Sequence, residues 1–192
     1  MDVGCSTGDL IQCFANKVRL EKHFGIDLDE HAIRVAKSKG LNVSVASKEI
    51  TEEKFDLVSA VAVIQHTASP LSFLRNLKDM INNDGVIALI LPLQDDGNKD
   101  IFFWDHLFHF HSEHVKFMCH KQGLELLYMD LSHPFHHGFG LFLLQGQASN
   151  ISVSLPKEVI NSATDMTINH WLGIFNKLEH WVRKQNGDIA VL

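Results

Sequence analysis

Apolar positions recur along this chain with two different periods, and the two alternate. Leu10, Ile11, Phe14, Ala15 and Val18 fall at helical spacing directly after a glycine-bearing turn, which predicts a helix from Gly8 or Asp9. "HFGID" at 23–27 reads as a short strand ending in an acid. "DEHAIRVAKSKG" at 29–40 reads as a helix with Asp29 near its start and Gly40 as its stop, and "LNVSVA" at 41–46 as a strand. The continuous apolar run "FDLVSAVAVI" at 55–64 predicts a strand covered on both faces. Apolar residues at 71, 74, 77, 80 and 81 then mark a helix, and "DGVIALILP" at 84–92 marks a turn and a second buried strand. Four alternations of strand and helix predict a doubly wound α/β domain with a parallel sheet.

The pattern then changes. Residues 112–122 read as a helix, "LELLYMDL" at 124–131 as a strand, and "GFGLFLLQGQ" at 138–147 as another after a turn containing "HPFHH". Strands joined this closely pair antiparallel. "ASNISVSLPKE" is polar and reads as a linker. Beyond it, Ile168, Trp171, Leu172, Phe175, Leu178 and Trp181 lie on one face of an amphipathic helix, its two tryptophans read as packing anchors. The expected organisation is one domain over 1–147 and a C-terminal helical segment over 148–192.

Composition narrows the classes. A chain of 192 residues that is 45% hydrophobic and 21% charged can bury a full core. Seventeen Lys and Arg against 23 Asp and Glu give a net charge of −6, which offers phosphate backbones and anionic lipid no general attraction, so neither nucleic acid nor membrane is an expected partner. No apolar run reaches a membrane span, and the N-terminus has no basic-then-apolar leader pattern. Cys5, Cys13 and Cys119 are too few and too scattered for a disulfide framework, which suits a reducing, cytoplasmic setting.

The opening stretch "MDVGCSTGDL" carries the candidate chemistry. Gly4 and Gly8 let the backbone pass close to a ligand, and the helix that follows turns its free N–H groups toward the same space. About 20 residues on, Asp27 ends the second strand, where a carboxylate can accept hydrogen bonds from both hydroxyls of a ribose. Together these imply an adenosine cofactor. A nicotinamide site requires Gly-x-Gly-x-x-Gly, but Ser6 and Asp9 stand where the second and third glycines belong, and Asp9 would repel a pyrophosphate. S-adenosyl-L-methionine carries a net positive charge that tolerates Asp2 and Asp9. A phosphate-binding P-loop is excluded, since no Gly-Lys-Ser/Thr follows.

"DVGCSTG", "GIDLDEHAIRVAKSKG" and "FDLVSAVAVIQHTASPLSFLRNLKDMINNDGVIALILP" resemble, in order and spacing, the successive motifs of class I S-adenosylmethionine-dependent methyltransferases, and the resemblance runs over residues 1–147. "FHFHSEHVKFMCHKQGLELLYMD" resembles the helix and sixth strand of the small-molecule branch. The resemblance implies a Rossmann-like seven-stranded sheet with an antiparallel last strand. It also implies that Asp2, Gly4 and Gly8 line the methionine moiety, that Asp27 holds the ribose and Leu28 the adenine, and that Ala62, Val63 and Ile64, ending the fourth strand, sit against the cofactor. The family often places an Asp against the adenine amino group after the third strand. Ala46 and Ser47 stand there in this chain.

Methyl transfer requires a positioned nucleophile and, where that nucleophile is protonated, a base. His66 is the first candidate, because it follows the fourth strand and with Gln65 would face a substrate pocket. His109 and His111 come next: some sugar C-methyltransferases carry a catalytic histidine in a Tyr-His-Glu-His stretch, although here Phe108 and Phe110 take the Tyr and Glu positions. His106, His109, His111 and His114 crowd one stretch, but on a loop running into a helix they diverge, and no metal is expected. Cys5, in the glycine turn, is read as a small packing residue.

The expected function is methyl transfer to a small-molecule acceptor, with the C-terminal "NGDIAVL" resembling the start of a second domain in sugar C-methyltransferases and so pointing to carbon on a nucleotide sugar. A catalytically silent module of the same fold is the alternative. With only Asp2 and Val3 ahead of Gly4, the first strand is truncated, and the chain is expected to be an internal piece of a longer one.

Overall fold

The computed structural model describes residues 1–16, 22–46, 53–95, 103–131 and 138–146. Ser47, the 133–137 turn, the linker and the C-terminal segment with Trp171 and Trp181 lie outside the described residues. Two compact units divide the chain, one containing Met1–Ser47 and the other Lys48–Leu155.

In the first unit, β1 (Asp2–Val3), α1 (Asp9–Ala15), β2 (Gly25–Asp27), α2 (Glu30–Ser38) and β3 (Val43–Val45) follow one another as the periodicity predicts. The three strands are parallel in the order β3-β2-β1, with Asp2 opposite Gly25 and Gly25 opposite Val43. Helix α2 starts where an acid can cap it: the Asp29 carboxylate accepts from the N–H groups of His31 and Ala32, at 2.7 and 3.2 Å. It stops at Gly40, whose φ of 78° closes the last turn. Cys5, Ile11, Ile33, Ala36 and Val43 form the buried core of this unit, with Leu41 packed against them.

The second unit is built from β4 (Phe55–Val61), a single 3-10 turn at Ile64–His66, α3 (Pro70–Met80), β5 (Ile81–Pro92), α4 (Ser112–Gln122), β6 (Leu124–Asp130) and β7 (Phe139–Gly146). β4 and β5 are parallel, and β7 runs antiparallel to both β5 and β6. This is the antiparallel last strand expected from the sequence, placed between its neighbours rather than at the margin. Strand β4 stops three residues short of the expected Ile64. Ala62 takes a left-handed φ of 54° with its N–H on the Ile90 carbonyl, and the chain leaves the strand there. The apolar run continued to 64 because Ile64 is fully buried from the 3-10 turn.

Strand β5 begins directly at the end of α3 and bulges, so that Phe55 pairs with Ile81 but Leu57 with Val86. Gly85 makes the bulge possible: a Cβ there would stand 2.7 Å from the Phe55 carbonyl oxygen and 2.9 Å from the Asn82 nitrogen. Among the described residues, no helix is long and apolar enough to cross a membrane.

Candidate functional site

The glycine turn of the first unit and the end of β2 are tied together through Asp27. One of its carboxylate oxygens accepts the Ser6 N–H at 2.7 Å and the other the Asp29 N–H at 2.9 Å. Above it, the N–H groups of Gly4 and Cys5 both reach the Ile26 carbonyl, at 2.8 and 3.0 Å. Gly4, Ser6 and Gly8 all take positive φ, of 78°, 48° and 77°. The carboxylate is therefore fixed in direction and keeps lone pairs for a further donor. Leu28 follows it with 82% of its surface exposed, a large apolar side chain held in the open beside a fixed acid. Asp2 is buried at the start of the turn.

Two residues of this turn have other duties than the sequence suggests. Asp9 turns outward to Lys39, 2.5 Å away, and accepts the Thr7 hydroxyl at 2.8 Å. These bonds, Lys39 first, hold its carboxyl below the ordinary value. Its charge is thus offset locally, and the charge argument against a pyrophosphate rests on Asp2 instead. Gly8 also serves packing, because a Cβ there would lie 2.3 Å from Leu41 Cδ1 and 3.3 Å from Ala36 Cβ. Ala46, in the place of the adenine-binding acid, donates its backbone N–H to the Asp27 carbonyl at 2.7 Å.

Burial, with the charges of Asp2 and Asp27, pushes the Cys5 thiol up to about 12, and burial alone raises Cys119 to about 11. Cys5 is thus a packing residue, as the sequence reading had it. All three cysteines are unpaired, and only Cys13 is partly exposed. At pH 8 a disulfide reagent is expected to label one thiol quickly and the other two only after denaturation, since only thiolates react. Rapid loss of a second thiol in the native protein would contradict this placement.

The second unit carries the histidines. His66, 39% exposed at its side chain, ends the 3-10 turn, with Nδ1 3.0 Å from the Asp105 carbonyl oxygen and 3.7 Å from its carboxylate. Its Nε2 lies 3.2 Å from the Gln65 amide nitrogen. The His106 ring meets His66 edge-on at 4.7 Å and stacks with Phe103 at 5.2 Å. The Gln65 carbonyl fastens this loop to the turn, accepting the N–H groups of both Leu107 and Phe108, at 2.8 and 3.2 Å. Val63 precedes the turn, half-buried, and its carbonyl accepts the His66 N–H.

The other two candidate bases are placed differently. His111 caps α4: its N–H donates to His114 Nδ1 at 3.1 Å, and its side chain accepts the His114 backbone N–H. His109 is half-buried, its ring 6.3 Å from that of His106. Gln65 is fully buried rather than facing a pocket. Asp95 anchors the start of α4 through the Ser112 N–H and hydroxyl, at 2.7 and 2.8 Å. Partial burial would raise its carboxyl, but these bonds hold it below the ordinary value. Sequence reasoning missed Asp105 and His106 as neighbours of His66, because a contact across 39 positions leaves no local pattern.

Residues 1–87 match the family described as "Methyltransferase domain". A ubiquinone biosynthesis O-methyltransferase of Haemophilus ducreyi is 27% identical over 103 residues, which cover 46% of this chain and 43% of that protein. The chain spans less than half the length of the curated relatives it matches. Among solved structures, an S-adenosylmethionine-dependent methyltransferase of Clostridium acetobutylicum superposes with a TM-score of 0.60 at 12% identity, covering 77% of this chain and 83% of that one. The [4+2]-cyclase SpnF reaches 0.63 at 14% identity, covering 76% and 74%. Residues 1–87 are thus similar in sequence to that methyltransferase family, and the chain shares its fold with solved S-adenosylmethionine-dependent methyltransferases.

Proposed function

We propose that this chain transfers a methyl group from S-adenosyl-L-methionine to a small molecule in the cytoplasm. The observation that carries the reading is the fixed Asp27 carboxylate with the exposed Leu28 beside it. A ribose diol needs a pair of acceptors, and an adenine ring needs an apolar face, and this pair of residues offers both. Gly4, with no side chain and a φ of 78°, is the residue that would pass beside the methionine moiety, next to the buried Asp2. The bound donor supplies an electrophilic methyl group on a sulfonium. His66 takes the proton that the acceptor loses, and Asp105, held against Nδ1, directs its ring.

The name of the Haemophilus ducreyi relative supports a hydroxyl oxygen as the acceptor atom. A carbon of a nucleotide sugar, suggested by the C-terminal sequence, is the second acceptor to assay. The cyclase that shares the fold keeps a non-methylating role as the alternative.

Asp27→Ala is expected to weaken binding of S-adenosylmethionine, and of its demethylated product, by about 1–3 kcal/mol, because two ribose hydroxyls lose their acceptor. Calorimetric titration of both proteins measures it. Equal affinities would place the ribose elsewhere. Tight binding without turnover on any hydroxyl or sugar acceptor would favour the non-methylating role.

A further inference from the structure

We propose that His66, Asp105 and His106 form a binding site for a divalent transition-metal ion of the zinc class. The three side chains come from two segments, and one ligating atom from each lies within 4.8 Å of the others. Zinc bonds of about 2.0–2.2 Å place neighbouring donors about 3.3–3.5 Å apart, so rotamer adjustments of half-exposed side chains close the set. Two imidazoles and a carboxylate suit zinc, cobalt or nickel better than magnesium or calcium, which take oxygen donors.

The second observation lies beneath the site. Gln65 is 1% exposed, and its Oε1 has no hydrogen-bond partner. As the amide stands, its nitrogen faces His66 Nε2, which makes that atom the acceptor and puts the proton on Nδ1. Turning the amide by half a turn gives Oε1 a donor in His66 Nε2–H and moves the amide nitrogen into the position without a partner. The Nδ1 lone pair then faces the Asp105 carbonyl at 3.0 Å and its carboxylate at 3.7 Å, an arrangement of acceptors that repel unless a cation sits among them. A metal-bound histidine ordinarily donates its other ring N–H to an oxygen in this way. The buried amide is thus the support that such a ligand requires.

Three protein donors leave coordination positions open to water or to a ligand oxygen. With Nδ1 on the ion and Nε2–H on Gln65, His66 keeps no lone pair to take a proton, so the ion-bound ring and the base role proposed above are alternative states; the binding of the ion does not rest on that role.

The test uses tag-free protein stripped with a chelator, with no methyl donor present. Zn²⁺ is titrated calorimetrically, and Co²⁺ is followed by visible absorption. One ion per chain is expected. Asp105→Ala and His106→Ala should each weaken binding at least about tenfold, while His120→Ala, on the exposed side of α4, should leave it unchanged. Absence of Zn²⁺ binding up to millimolar concentration overturns the proposal. So does an affinity that survives both Asp105→Ala and His106→Ala, which would assign the ion to other histidines of the chain.

Discussion

His66→Ala is expected to lower kcat by about two to four orders of magnitude while leaving the affinity for S-adenosylmethionine nearly unchanged. Val63, among the residues proposed to hold the donor, meets His66 through its carbonyl, a main-chain bond that truncation of the ring leaves in place. The His66 side chain contacts Gln65, Asp105 and His106, all around the 3-10 turn that follows β4. The ring is substantially exposed, so truncation opens no core cavity and the melting temperature should hardly move. Turnover and calorimetry on one preparation separate the two effects. A variant that works at full rate would pass the role to His109 or His111, or show that the acceptor needs no base.

The second large effect is on stability. Phe142 is fully buried in β7, opposite Leu89 of β5 on one side and Met129 of β6 on the other. β7 contributes no candidate site residue, yet it joins the other two strands. Phe142→Ala is expected to cost about 3–5 kcal/mol, the sum of lost transfer energy and a cavity that hydrogen-bonded strands cannot close. Domains of this size are stable by about 5–15 kcal/mol, so a sizeable share of the total goes. Urea unfolding monitored by circular dichroism measures it. A midpoint shift worth less than about 1 kcal/mol would mean that β7 is not packed as described.

Elements whose signal is local were legible in the sequence. Asp29 and Gly40 marked the ends of α2, the apolar row of α3 placed it within a residue of its observed bounds, and the helix read over 112–122 is α4. The end of β4 was not legible. An apolar run reports burial, and Ala62, Val63 and Ile64 stay apolar after the chain has turned out of the strand. The bulge in β5 was hidden for a related reason: Ile81 completes the apolar row of the helix and "DG" at 84–85 reads as a turn, whereas Ile81 already pairs with Phe55.

The candidate site divides in the same way. The place of Asp27 at the end of β2 was legible because strand ends and glycine turns occupy fixed positions in a parallel α/β unit. The Asp9–Lys39 ion pair and the grouping of His66 with Asp105 and His106 depend on how distant segments fold back, and residue spacing carries no record of that. The crowded histidines take different places. His111 and His114 cap α4, and the ring that reaches His66 belongs to His106, ahead of both.

The bond from the Gln65 carbonyl to Leu107 and Phe108 joins main chain to main chain. No side chain of the loop takes part in it. Phe103, Trp104 and Leu107 all stand exposed, Trp104 by 94%, so their identities can change while the anchor persists. Substitution at these three positions leaves the main-chain anchor in place. The loop is a surface whose side chains can drift in sequence while its path over the 3-10 turn is kept.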